Sequence, residues 1–350
     1  MVGVQRYPLL MIVAALVIVV AGMKAASDLL EPFLLAIFIS VVCAPVVTLL
    51  TKRGWPEWLA VTAVMVGLVI LLSGGVAFVG ASINGFLKQL PVYQSALNDR
   101  VGGLLDALSG HGLDLDIPSL KEKFNAGMLI GLAGKVVGGF GAVLGNFLLI
   151  LLTVAFILLE AARLPAKVQG AFSSRAADSL EVFERFAEGV KEYLAIKSVL
   201  SLGTGVAVAC MLWLLNVDYP LLWGTLAFLF NYIPNIGSFL AAVPACLLAF
   251  VLHGNLVTVL TISGYVIINT VVGNGLEPRL MGRSLGLSPL VVFISLVFWG
   301  WVLGPVGMVL SVPLTMILRI AFEVREDTRW LAVLLGPEVE HQTDQVKLEE

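Results

Sequence analysis

In this 350-residue sequence the polar side chains that interrupt the apolar runs of the C-terminal half gather in three short stretches. The first is Asn231-Tyr232-Ile233-Pro234-Asn235-Ile236-Gly237-Ser238, a polar, turn-prone sequence in the middle of an apolar run. The second is Asn269-Thr270 with Asn274, followed by Glu277 and Arg279. The third is Trp301-Val302-Leu303-Gly304-Pro305-Val306-Gly307, again inside an apolar run, with Ser311 and Thr315 after it. Asn, Ser, Thr and Tyr offer neutral hydrogen bonds, and Pro and Gly interrupt a helix and free its backbone groups. Free N–H groups suit anions and free carbonyls suit cations. The pattern fits a site for a small polar, hydroxylated solute. Its candidate residues are Asn231, Tyr232, Pro234, Asn235, Gly237, Ser238, Asn269, Asn274, Gly304, Pro305 and Gly307. Ser311 and Thr315 read more simply as interhelical hydrogen bonders.

Ionisable residues at membrane depth are costly and usually functional. Glu277 and Arg279 are the candidates for ion coupling. Glu277 could pair with Arg279, bind a cation or carry a proton. It could equally be a helix-terminal charge at the interface. Asp28, Glu31 and Glu160 lie at span ends and read as interface charges.

No constellation for catalysis, metal binding or nucleotide binding is visible. Cys43, Cys210 and Cys246 lie far apart in apolar runs and read as packing residues. The histidines are His111, His253 and His341, and there is no HExxH, CxxC, GxGxxG or GxxxxGK[ST] pattern. The sequence points to no enzyme, no cofactor and no metal. The net charge of -3 gives no reason to expect a nucleic-acid partner.

The elements that position these residues follow from hydropathy. Hydrophobic residues make up 59% of the chain and charged residues 13%, against about a quarter charged in soluble domains. No soluble fold hides that much apolar surface, so the expectation is an all-α polytopic membrane protein. A span needs about 20 apolar residues. Six runs fit one helix each: Pro8 to Met23, Leu29 to Leu50, Leu59 to Ile83, Val136 to Leu159, Ser198 to Val217 and Asn255 to Asn274. Two more, Pro220 to Leu252 and Pro289 to Leu318, are too long for one span and too short for two spans with a turn. Each is broken in its middle by Gly and Pro. The expectation is about eight membrane segments, six spanning helices and two re-entrant helical hairpins. The alternative is that Pro and Gly only kink two long tilted helices.

The distribution of Lys and Arg orients the chain. With the N-terminus inside, Lys52, Arg53, Lys197, Arg279 and Arg283 all face the cytoplasm, as does the C-terminal tail with Arg319, Arg325 and Arg329. The first hairpin then opens from outside and the second from inside. The units Ser198 to Leu252 and Asn255 to Leu318 have opposite orientation, an inverted repeat in the C-terminal half. Ile236-Gly237-Ser238-Phe239-Leu240-Ala241-Ala242-Val243-Pro244 matches Val306-Gly307-Met308-Val309-Leu310-Ser311-Val312-Pro313 with one deletion. Paired interrupted segments of this kind point to a transporter substrate site.

This organises the chain into N-terminal spanning helices at 1–83, an external amphipathic segment at 84–135, a fourth span at 136–159 and a cytoplasmic amphipathic helix at 160–197. The inverted-repeat transport domain occupies 198–318, with hairpins 220–252 and 289–318, and a cytoplasmic tail occupies 319–350. In the external segment Leu97, Val101, Leu104, Leu105 and Leu108 share a helical face, and Leu113 to Pro118 reads as a loop. In the cytoplasmic helix Leu180, Phe183, Phe186, Val190 and Leu194 form one apolar face.

The residues of the two breaks also carry a family resemblance. Asn231 through Gly237 resembles a signature of the autoinducer-2 exporter family of bacterial permeases. So do Glu277-Pro278-Arg279-Leu280-Met281-Gly282 through Leu285-Gly286-Leu287-Ser288-Pro289, Phe298-Trp299-Gly300-Trp301, Gly304 through Met308, and Val312-Pro313-Leu314. Pro45 through Lys52-Arg53-Gly54 fits as well. The resemblance covers nearly the whole chain. It implies a multi-pass transporter of the plasma (inner) membrane that forms a homo-oligomer. Members are linked to export of autoinducer-2 and some to Na+/H+ exchange, and many have no established substrate. The chain departs from the family at Ser288, where histidine is common, so no pH role is assigned there.

The expected function is secondary transport of a small polar solute by alternating access, driven by a solute gradient or by H+ or Na+. The inverted pair would move against a scaffold of the first four helices. Its partners are the lipid bilayer, the solute and the coupling ion. A cation/proton antiporter, a channel-like pore on the same hairpins, and a non-transporting membrane scaffold are the alternatives.

Overall fold

Hydrocarbon offers no partner to a peptide N–H or C=O, so an apolar chain must satisfy its backbone within helices or a closed barrel. The computed structural model describes residues 6–109, 146–161, 176–234, 236–281, 287–323 and 326–336, and every regular element among them is helical. In order these are α1 (Arg6–Ala25), α2 (Ser27–Lys52), α3 (Glu57–Ser109), α4 (Phe147–Ala161), α5 (Ala176–Leu214), α6 (Pro220–Phe230), α7 (Gly237–His253) and α8 (Asn255–Asn269). A π-helical stretch, Thr270–Leu276, leads into α9 (Glu277–Met281), followed by α10 (Pro289–Glu323), a 3-10 turn (Glu326–Thr328) and α11 (Arg329–Leu335).

Five helices are long and apolar enough to cross a membrane: Ser27–Lys52, Glu57–Arg100, Glu188–Leu214, Asn255–Leu280 and Pro289–Glu323. The first and fourth expected spans correspond to the shorter apolar helices Val13–Ala25 and Phe147–Glu160. The chain is a multi-pass helical membrane protein. Large apolar side chains stand exposed along these helices, among them Ile18, Ile70, Leu71 and Val199, as lipid-facing positions require.

At two expected boundaries the helix continues. The third span was expected to end at Ile83, yet α3 runs unbroken to Ser109 through Pro91. Leu97 of the amphipathic face is buried, while the side chains of Val101, Leu104, Leu105 and Leu108 and the loop at 113–118 lie outside the described residues. Likewise α5 joins the expected amphipathic helix at 160–197 to the fifth expected span. Val190 and Leu194 of its apolar face are buried, and the side chains of Leu180, Phe183 and Phe186 lie outside the described residues. Residues 136–145 of the fourth span also lie outside them.

The chain divides into two compact units. One comprises Met1–Pro45, Phe156–Ala195 and Met281–Glu350, the other Val46–Ala155 and Ile196–Leu280. The expected transport domain at 198–318 contributes to both, its first hairpin to one and its second to the other.

In the unit holding the first hairpin, Val79, Ile83, Phe86, Leu90 and Tyr93 of α3 pack with Leu222, Trp223 and Leu226 of α6 and Ala241, Ala245 and Leu248 of α7. Helices α5 and α6 cross where both are small. A Cβ at Gly224 would lie 2.7 Å from the Gly205 carbonyl and from the Ala209 Cβ. The turn between α5 and α6 is held by Tyr93, which donates its hydroxyl hydrogen toward Asp218 Oδ2 at 3.0 Å, and by Trp223 Nε1–H, which donates to the Asp218 carbonyl at 2.9 Å. Asn216 and Tyr219 adopt left-handed backbone there.

Helices α6 and α7 fold against each other across residues 231–236. The tightness of the reversal explains Gly237, since a Cβ there would lie 1.7 Å from the Phe230 carbonyl oxygen. In the other unit α10 is broken at Leu303 (φ -121, ψ 19) and Gly304 (φ 57, ψ -147). Trp299 Nε1–H donates to Thr315 Oγ1 at 3.0 Å across that break. A Cβ at Gly307 would lie 2.0 Å from the Trp299 carbonyl oxygen. The residues on either side of the break in α10 thus come into contact with each other. Gly237 and Gly307, paired in the sequence match, make the same close approach to an earlier carbonyl. The break packs with Val20 and Met23 of α1 and Leu30 and Leu34 of α2.

Candidate functional site

Broken helices place polar groups at a turn, and in the first hairpin those groups find partners on α5. Asn231 Nδ2–H donates to Ser201 Oγ at 3.0 Å, and Tyr232 Oη–H donates to Ser198 Oγ at 2.8 Å. The Tyr232 ring also stands edge-on to Phe228, 5.8 Å away between centroids. One residue before Ser198, Lys197 Nζ–H donates to Glu277 Oε1 at 2.7 Å. Lys197 and Ser201 are four residues apart on α5 and share a face. The hairpin tip and the ion pair therefore occupy adjacent turns of one helix.

The carboxylate reaches Lys197 because of what precedes it. The stretch Thr270–Leu276 is π-helical, a wide turn that shifts the face presented by the residues after it. Glu277 begins the short α9 directly beyond. Arg279 on the same helix is exposed.

The remaining candidates sit as follows. Pro234 and Ser238 are half-buried at the tip, Gly237 is buried, and Asn235 lies outside the described residues. Asn269 is half-buried at the end of α8, and Asn274 is exposed within the π-helical stretch. Gly304, Pro305 and Gly307 belong to the other unit. There the Lys24 ammonium stands 3.7 Å from the centroid of the Trp301 ring, and Glu31 Oε1 is 3.7 Å from where a Gly304 Cβ would be.

Lys197, Ser198 and Ser201 were not among the sequence candidates. By sequence Lys197 is one more internal basic residue beside a span. The available signal was a lysine followed four residues later by serine at the start of an apolar run. Glu31 and Lys24 carried no sequence signal beyond their place near span ends.

A family model described as "AI-2E family transporter" matches residues 10–326. The chain is 40% identical over 329 residues to a Haemophilus influenzae protein named "Putative transport protein", covering 93% of this chain and 94% of that one. It is 38% identical over 321 residues to the Escherichia coli "AI-2 transport protein TqsA", covering 92% of this chain and 93% of that one.

Proposed function

The chain belongs to the AI-2E family of transporters, and from that premise we propose that it is a secondary carrier moving a small polar solute across the plasma (inner) membrane by alternating access. The polar hairpin residues suit a hydroxylated solute, and the Escherichia coli relative is named as a transport protein for AI-2. The two hairpins enter the bilayer from opposite sides as an inverted pair, the termini are cytoplasmic, and the carrier is a homo-oligomer.

The observation that carries this reading is the polar tip of the first hairpin, docked through Asn231 and Tyr232 on two serines next along the helix from an ion pair whose lysine is buried. A lipid-facing helix pair has no use for such groups, and irregular backbone at membrane depth needs protein or a water-filled cavity around it. Asn231, Tyr232, Pro234, Asn235, Gly237 and Ser238 bind the solute, with Asn269 and Asn274 beside them, and Gly304, Pro305 and Gly307 do the equivalent work in the second hairpin. Glu277, with Arg279 close by in sequence, couples the cycle to H+ or Na+.

The test is counterflow. The full chain in liposomes, preloaded with each of a panel of polar metabolites that includes autoinducer-2, should show saturable, trans-stimulated exchange of at least one. Asn235→Ala should abolish that exchange in protein of unchanged Tm. Single-channel conductance would replace the carrier by a pore, and a flat response across the panel would refute transport of polar solutes.

A further inference from the structure

Among the described residues Lys197 is the one charged side chain that is buried, 4% exposed, and its counter-charge Glu277 is 23% exposed. A buried ammonium persists only beside a negative partner. Whatever enters the hairpin tip must therefore leave that balance intact. The remaining ionisable groups with described side chains on α5, α9 and the tip are Tyr232, the exposed Arg279 on α9, and, on α5, the exposed Glu188, Lys191 and Glu192, the buried Tyr193 and the exposed Cys210. None of the four exposed charges can stand in for Glu277 inside the cluster. On the same stretch of α5, directly after Lys197, Ser198 accepts from the Tyr232 phenol and Ser201 from the Asn231 amide.

We infer, resting on the carrier reading above, that the solute is a small hydroxylated anion whose negative oxygen replaces Glu277 as the counter-charge of Lys197, while Glu277 takes up a proton or a sodium ion. Before binding the pair sums to zero charge. Afterwards the ammonium is balanced by the anion and the carboxylate by the cation, so the sum is again zero. The partly exposed Glu277 is the partner positioned to take a cation from water. Lys197 is buried. A neutral polyol could use the hydroxyls and the amide, but it would gain nothing from Lys197 and would require no cation. Coupling thus follows from charge neutrality in a buried cluster, and Lys197 is its specificity determinant.

The experiment compares gluconate with sorbitol, and glycerate with glycerol, by ligand-dependent thermal shift of the full chain in detergent. Gluconate should half-saturate at about tenfold lower concentration than sorbitol, the effect of one added charge-assisted contact. Its affinity should fall by up to roughly tenfold for each unit that the pH rises where a proton is co-bound, or rise with Na+ at fixed pH where sodium is. Glu277→Gln should keep the preference for gluconate and remove its pH and Na+ dependence. Lys197→Gln should erase the preference, and Lys197→Arg, which guards against a folding defect, should retain it. Equal response to anion and polyol, or no response to either, overturns the inference, as does a preference that survives Lys197→Gln. Saturable counterflow of a neutral solute would leave the carrier reading standing while removing this one.

Discussion

Trp299 and Thr315 are sixteen residues apart and joined by a 3.0 Å hydrogen bond from the indole N–H to the hydroxyl. Along a straight helix they would stand about 24 Å apart, so the bond reports the reversal at Gly304. Both residues are buried. Trp299→Phe and Thr315→Val should each cost about 1–2 kcal/mol. The double variant should cost less than the sum, with a coupling of about 1 kcal/mol. Reversible unfolding in mixed micelles measures all three, and strict additivity would contradict a direct bond.

Gly237 and Gly307 should be intolerant of even one methyl group. Each would press a Cβ into a backbone carbonyl, which flexible side chains cannot relieve. Gly237→Ala and Gly307→Ala are expected to cost about 3 kcal/mol or more. Gly74→Ala and Gly203→Ala, at helical positions with open space around them, should be neutral or stabilise by up to about 1 kcal/mol. Unfolding midpoints of the four variants decide the matter, and equal effects would remove the packing explanation.

Gly304 poses a different demand. Its backbone, at φ 57 and ψ -147, lies where L-residues are rarely found. Gly304→Ala should lose about 1–3 kcal/mol through strain alone, since no backbone atom crowds the position and the nearest contact is the Glu31 carboxylate. A cysteine pair placed across the break, at 300 and 308, should still crosslink in the wild-type background. Failure to crosslink would argue for an open kink.

The Lys197–Glu277 pair should respond unequally to loss of either partner. Glu277→Ala leaves a buried ammonium with no counter-charge and is expected to cost about 3–5 kcal/mol. Lys197→Met keeps the packing and leaves a carboxylate that water can reach, so its cost should be about 1–2 kcal/mol. Equal losses would mean that Lys197 is better hydrated than its 4% exposure implies.

Much of this organisation is legible from residue types. Apolar runs of spanning length mark helices because hydrocarbon leaves the backbone no other partner. Gly and Pro in mid-run mark the reversals near residues 231–237 and at Gly304, because a helix cannot carry them straight. The family follows from the stretches that hold those breaks. Boundaries were less legible. Hydropathy ends the third span at Ile83, but hydrogen bonding continues the helix to Ser109, since leaving the apolar region does not oblige a helix to stop.

The composition and its patterning by themselves determined the membrane class, the helical architecture and the places where Gly and Pro break the helices, all of which depend on local or additive properties of the chain. Only the tertiary structure decided that Glu277 meets Lys197, eighty residues earlier, and that Asn231 and Tyr232 dock on Ser201 and Ser198. The physical reason is that a partner is a matter of direction and distance. Those depend on the crossing of α5 with α6 at Gly205 and Gly224, and on the wide turn at Thr270–Leu276 ahead of the carboxylate. Spacing along the chain records neither.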